Sequence, residues 1–177
     1  MKNTTVKSIV VLVAICLVIS AALAIVNSFT APVIESAAEQ RQNASRKAVL
    51  PQAAGFVVLD RDGMPDSITS AYKGIDTAAN IVGYVFTAAR KGFDGTIVVM
   101  TAIDPDGKIV NVATIDVTSE TKTLGGQTAN ESYTGQYAGK DSALEGVDAI
   151  SGATITSNAY ERCVQDCFAA YDAVKEG

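Results

Sequence analysis

The stretch Asp148-Ala149-Ile150-Ser151-Gly152-Ala153-Thr154, running on into Ile155-Thr156-Ser157-Asn158, reads as an apolar strand end, a turn of small residues and the start of a helix. Small residues at 151–153 leave backbone N–H groups clear to converge on one anion at a helix start, with no side chain in the way. Thr154 then stands beside that anion with a nucleophilic hydroxyl, and Ser151 is placed to cap the helix or to hydrogen-bond phosphate oxygens. The pattern is that of a phosphate-binding turn. An ordinary strand-turn-helix junction, in which Asp148 and Ser151 only satisfy local backbone donors, is the plainer reading of Ser151-Gly152-Ala153-Thr154 taken alone.

Downstream, Tyr160, Cys163, Val164, Cys167, Phe168, Tyr171 and Val174 recur at i, i+3, i+4 spacing, which predicts an amphipathic helix over 156–175 that packs against a sheet. Cys163 and Cys167 fall on its apolar face. Their Cβ vectors run nearly parallel at i and i+4, a poor geometry for a disulfide, so they read as small buried hydrophobes. Upstream, short β-type runs lie at 56–59, 81–88, 95–103 and 108–117, and Asp104-Pro105-Asp106-Gly107 closes a hairpin between the last two. A Gly-rich polar loop follows over 119–140. The sum is an α+β fold, a small and mainly antiparallel sheet packed by helices.

The N-terminus needs a different solvent. Residues 9–26 are apolar apart from Ser20, about 27 Å of helix and just enough for a hydrocarbon core. Lys2 and Lys7 precede this run and Glu35 is the first charge after it, a bias that puts the N-terminus in the cytoplasm and the chain from about residue 30 outside. A cleaved signal peptide competes, since Ala22-Leu23-Ala24 fits a small-x-small cut, but the apolar run continues through Ile25 and Val26, which favours a retained anchor. Bulky Ile15 before Cys16 argues against a lipoprotein. Residues 31–49, polar and bounded by Pro32 and Pro51, read as a juxtamembrane helix or stalk, with an irregular linker as the alternative. The organisation expected is an anchor over 1–30, a stalk over 31–50 and one domain over 51–177.

Composition removes several classes of function. With 177 residues and 48% hydrophobic content the chain holds one domain with a proper core plus the anchor. It has no histidine, which excludes imidazole as base, proton shuttle or metal ligand. A net charge of −5 with lysines and arginines scattered among the acids gives no basic stripe and argues against nucleic-acid binding.

The opening residues also carry a family resemblance. D-x-x-[S/T]-G-A-T is the signature at which certain membrane redox complexes hold flavin mononucleotide through a phosphoester on the last threonine, and Asp148, Ser151, Gly152, Ala153 and Thr154 fill every position of it. The chain resembles the G subunits of the Rnf ion-translocating ferredoxin:NAD oxidoreductases and, less closely, the longer C subunit of the sodium-pumping NADH:quinone reductase. A second stretch, Ser119-Glu120-Thr121-Lys122-Thr123-Leu124-Gly125, is similar to the family's E-T-P-G-L-G loop that lies against the flavin. Glu120, Thr121, Leu124 and Gly125 match, whereas Lys122 and Thr123 replace Pro-Gly, which leaves the turn less rigid and its path open. Glu120 or Thr121 is placed to bond the flavin or its ribityl chain, with a solvated loop as the alternative. Gly83-Tyr84 and Gly92-Phe93-Asp94-Gly95 resemble the family's G-Y strand and G-[FY]-x-G turn. Tyr84 is then a candidate neighbour of the isoalloxazine or a plain core aromatic, and Gly92 and Gly95 shape the turn.

The resemblance implies FMN covalently attached to Thr154 by a separate, Mg-dependent flavin transferase that reads Asp148 and Ser151. The chain offers no phosphate loop with lysine, no metal cluster and no histidine with which to flavinylate itself. It further implies a single-pass protein of the cell membrane, its domain extracytoplasmic, relaying electrons among the other membrane subunits of an Rnf complex. A stand-alone anchored flavoprotein feeding a reductase, and an anchored binding domain without flavin, are the competing readings.

Overall fold

The computed structural model describes residues 2–175, with side chains at 11–31 and 39–175. The charges of Lys2, Lys7 and Glu35, on which the expected orientation rests, therefore lie outside the described side chains, as does Pro32. The first helix, α1 (Lys2–Val49), is continuous over 48 residues. Position 32 does not interrupt it, so anchor and stalk form one helix. A proline removes a single N–H from a ladder this long, and membrane helices tolerate the loss.

By contacts the chain divides into two units, residues up to Asn43 and residues from Ala44 on. In the first, Val11–Ala31 is long and apolar enough to cross a membrane, and every residue in it is exposed. A helix apolar all round and exposed throughout its described residues suits lipid. Its two hydroxyls after the apolar run fold back on the backbone, Ser28 Oγ to the Ile25 carbonyl at 2.7 Å and Thr30 Oγ1 to the Val26 carbonyl at 2.6 Å.

In the second unit the strands β1 (Gly55–Val58), β2 (Ile68–Ile75), β3 (Ile81–Lys91), β4 (Thr96–Ile103) and β5 (Ile109–Asp116) form one sheet in the order β1-β2-β3-β4-β5, antiparallel throughout. The predicted hairpin is present: Asp104 Oδ1 accepts the N–H groups of Asp106 at 3.0 Å and Lys108 at 2.8 Å. The strand β2 has no counterpart among the runs read from sequence. Its residues Ile-Thr-Ser-Ala-Tyr-Lys-Gly-Ile carry too many polar and small side chains to look like a strand, and pairing with two neighbours makes it one.

The sheet is covered on both faces, which explains the apolar runs in β3 and β4. On one face lie Ile97, Val99, Ile103, Phe86 and Ala88, packed against the C-terminal helix α3 (Thr154–Lys175) through Tyr160, Cys163, Val164, Cys167, Phe168 and Tyr171. Both cysteines are buried and unbridged, and burial pushes the Cys163 thiol up to about 12. On the other face Val85, Met100 and Ala102 meet Val49, Leu50 and Ala53, so the last turn of α1 belongs to this core. Burying the Val, Leu and Met side chains among these is worth roughly 1.5–3 kcal/mol each. Gly74 and Gly83, paired across β2 and β3, leave the space Leu50 fills: a Cβ on Gly83 would stand 3.1 Å from Leu50 Cδ1 and 2.8 Å from the Ile103 carbonyl. That contact accounts for the glycine of Gly83-Tyr84. Arg46 adds an anchor point, its Nη2 donating to the Tyr72 hydroxyl at 2.8 Å.

An ion pair fastens α3 to the sheet. Asp166 takes two bonds from Arg90 (Nε at 2.5 Å, Nη2 at 2.9 Å) and one from the Ser67 hydroxyl at 2.5 Å. The segment read as a polar loop is partly ordered into a 3-10 turn at Gly125–Ala129, the short α2 (Glu131–Thr134) and a second 3-10 turn at Gly135–Tyr137. Tyr133 and Tyr137 tie it down, burying their rings against Tyr160.

Candidate functional site

The turn at 148–153 and the loop at 119–125 come together at the start of α3. Gly152 adopts φ +80, the left-handed region that favours glycine, and so lets the chain swing from Ile150 into the helix. The Ala153 N–H donates to the Ile150 carbonyl at 2.9 Å, and the Ile150 N–H donates to Ser157 Oγ at 3.0 Å, which locks the turn. Thr154 is the first residue of α3 and is exposed. The amides of Thr154, Ile155 and Thr156 meet no acceptor among the described residues. They are the orphan donors of a helix start; Thr154 and Ile155 are exposed, while Thr156 is buried.

Glu120 binds the two motifs to each other. Although only 5% exposed, it accepts the Thr156 hydroxyl at Oε2 (2.8 Å) and the Asp94 N–H at Oε1 (3.1 Å). Burial would raise its carboxyl, but hydrogen bonds from Thr156 and from the backbone of Asp94, Gly95 and Phe93 outweigh that and hold it below its ordinary value of 4.5. The glycines around it follow from this placement. A Cβ on Gly92 would strike the Glu120 carboxylate, and one on Gly125 would stand 2.6 Å from Glu120 Oε2 and 2.8 Å from Thr156 Oγ1. The Lys122-Thr123 replacement does not open the turn, because the Thr121 carbonyl still accepts from Leu124 at 3.0 Å and from Gly126 at 2.9 Å.

Together these pieces line a cleft of about 320 Å³ bounded by Phe93, Glu120, Thr121, Leu124, Gly125 and the run Gly152-Ala153-Thr154-Ile155-Thr156. Three large apolar side chains stand in solvent around it, Phe93 at 67%, Ile155 at 57% and Leu124 at 42% exposure. A folded domain leaves such a group unburied at a place where something apolar binds. A planar ring system over these side chains, with a phosphate at the orphan amides beside Thr154, fits the cleft chemically.

Not every residue singled out in the sequence lines the cleft. Asp148 is exposed, with its N–H donating to Gln136 Oε1 at 2.8 Å, and Ser151 is exposed in the turn; neither borders the cavity. Tyr84 lies elsewhere. It stacks on Phe86 and meets Tyr171 edge-on at 5.5 Å, and Tyr171 is seventeen residues along α3 from Thr154, about 25 Å at the helical rise. Phe93 and Ile155 are cleft residues that sequence reasoning passed over. Their signal is a large apolar side chain at a turn tip or in a first helical turn, where nothing in the fold covers it.

Residues 92–169 match the family model of the FMN-binding domain. The sheet-and-helix unit with its phosphate-ready helix start is of that class. The chain is 34% identical over 165 residues to the G subunit of the ion-translocating oxidoreductase complex of Methanosarcina acetivorans, covering 86% of this chain and 87% of the relative. It is 34% identical over 173 residues to the G subunit of the Na+-translocating ferredoxin:NAD+ oxidoreductase complex of Acetobacterium woodii, covering 84% and 83%. It is also 30% identical over 161 residues to the G subunit of the proton-translocating ferredoxin:NAD+ oxidoreductase complex of Clostridium ljungdahlii, covering 85% and 83%. The chain belongs to this family of G subunits of ion-translocating oxidoreductase complexes. The crystal structure of Shewanella oneidensis NqrC aligns with a TM-score of 0.53 at 19% identity over 73% of this chain and 74% of that one, a likeness of fold.

Proposed function

We propose that this chain is the electron-carrier G subunit of a membrane-bound, ion-translocating ferredoxin:NAD oxidoreductase complex, relaying electrons through FMN attached to Thr154 by a phosphoester. The observation that carries the reading is the exposed Thr154 hydroxyl at the mouth of an apolar-rimmed cleft, beside three helix-start amides without acceptors among the described residues. Bound FMN would supply the one-electron chemistry. The protein's own residues bind and orient: the amides of residues 154–156 take the phosphate, and Phe93, Leu124 and Ile155 cover the ring and exclude water. Glu120 holds the helix start in place through Thr156.

Attachment needs a second protein, for which a Mg-dependent flavin transferase is the candidate. The Thr154 oxygen bonds to the flavin-side phosphorus of FAD as the diphosphate bond breaks, AMP leaves, and the hydroxyl proton passes to the transferase or solvent. Exposed Asp148 and Ser151, outside the cleft, are available for that enzyme to read. The domain lies on the extracytoplasmic side, with Val11–Ala31 in the membrane and the remaining subunits of the complex as neighbours.

Co-expression with a flavin transferase, followed by a denaturing gel viewed under ultraviolet light, tests the site. A fluorescent band is expected for the wild type and none for Thr154→Ala. A dark wild-type band, or a bright variant band, overturns it. A C-terminal phosphatase fusion that is active only outside the cytoplasm tests the sidedness.

A further inference from the structure

Cations that look scattered along the sequence converge beside the cleft. Arg90 and Lys91 at the end of β3, with Asn158 and Arg162 one turn apart on α3, surround a concavity of about 400 Å³. Ile155 borders both this pocket and the cleft beside Thr154, so the two adjoin. Asp166 occupies Arg90 with two hydrogen bonds and is itself held by Ser67. Lys91 and Arg162 are exposed and make no ion pair among the described residues. Two cations without an ion pair among the described residues thus stand beside the cleft on a chain whose net charge is −5.

An exposed apolar rim flanked by unpaired charge of one sign has the make-up of a protein-docking face, with apolar contact at the centre and polar contact at the edge. Bare cations at such an edge steer and orient a partner of opposite charge. We propose that Lys91 and Arg162 seat a carboxylate-bearing face of the redox partner that exchanges electrons at this cleft, aligning its redox centre with the Phe93–Leu124–Ile155 rim. The inference rests on the flavin reading of the cleft. A small anion is the weaker occupant, because both cations are exposed and hold nothing in a fixed geometry. Contacts that exchange electrons are small and short-lived, and charge at their edge sets orientation without making them too tight to separate.

Zero-length carbodiimide cross-linking of the assembled complex, mapped by mass spectrometry, tests the docking without relying on flavin. Lys91 is expected to join an Asp or Glu of another subunit at low salt and to lose that link at high salt. In parallel, the Lys91→Glu, Arg162→Glu double variant is expected to slow single-turnover flavin reduction about tenfold at low salt with its flavin content unchanged. Arg162→Lys is expected to keep the rate, as is Lys108→Glu, a charge reversal on the distant β4–β5 turn. Absence of the Lys91 link, or an unchanged rate in the double variant, overturns the proposal. So does a loss of flavin content with an unchanged rate per flavin, which would assign the pocket to the transferase. A wild type without flavin sinks the functional reading instead, while the cross-link remains a measure of docking.

Discussion

The two motifs that meet at the start of α3 are treated oppositely by the fold. Glu120, in the loop at 119–125, is buried and accepts hydrogen bonds at both carboxylate oxygens. Thr154, two residues before the threonine that Glu120 binds, is exposed and ends in a hydroxyl with no described partner. Both sit in motifs that resemble flavin-contacting segments, yet one residue is a buried brace and the other, on the reading proposed above, the flavin acceptor. The lesson is that one motif can hold residues of two kinds, those that brace the fold and those left open to a ligand, and burial with full hydrogen bonding tells them apart.

Substitutions can break that contrast. Thr154→Ala should abolish covalent flavin altogether while changing stability by less than about 0.5 kcal/mol, as for other surface changes; gel fluorescence and a thermal melt read the two arms. Glu120→Ala should do the reverse, lowering stability by about 2 kcal/mol because the Thr156 hydroxyl is left buried without its acceptor and the Asp94 amide loses its partner, and this is measured by denaturant unfolding. Gly92→Ala should cost about 2 kcal/mol, since its Cβ displaces the same carboxylate; combined with Glu120→Ala its effect should fall short of additive.

Acidification gives a smaller effect with a defined sign. The folded-state value of Glu120 lies below its ordinary one, so its contribution is present above the unfolded carboxyl value and is lost as pH falls through the folded one. Asp166 behaves likewise: burial raises its carboxyl, but the bonds from Arg90 and Ser67 lower it further. Stability should therefore decline below about pH 4.5, and Glu120→Gln should flatten that decline in a pH series of unfolding curves. Least of all, Tyr84→Phe should leave stability within about 0.5 kcal/mol and flavin content unchanged, because its ring packs on Phe86 and Tyr171 and away from the cleft.

Much of this was legible in the sequence where one local rule dominates. The α3 periodicity, the Asp104-Pro105-Asp106-Gly107 hairpin and the turn and helix start at 151–154 each follow from spacing or turn chemistry, and the structure reproduces them; the strand end expected at Ala149-Ile150 is instead irregular chain, because no neighbouring strand pairs with it. Strand β2 was not legible, because its alternation is blurred by Ser70, Lys73 and Gly74 and its pairing is set by neighbours on either side. The roles of Gly83, Gly92 and Gly125 were hidden for a related reason: each makes room for a side chain, Leu50 or Glu120, that another segment supplies. Phe93 and Ile155 reveal themselves only once the fold shows that nothing covers them.

The meander of the sheet sets an order of events. Each strand pairs with its neighbour in sequence, so its hairpins close over short loops at small entropic cost. The helix α3 docks through contacts that reach back 76 residues to Arg90 and 99 to Ser67. Contacts of that separation are kinetically late, and the Thr154 turn is set against the Glu120 loop only when α3 docks. An enzyme that recognises the shaped turn would then modify finished molecules and pass over partly folded ones, so the flavin would mark chains whose tertiary structure is complete.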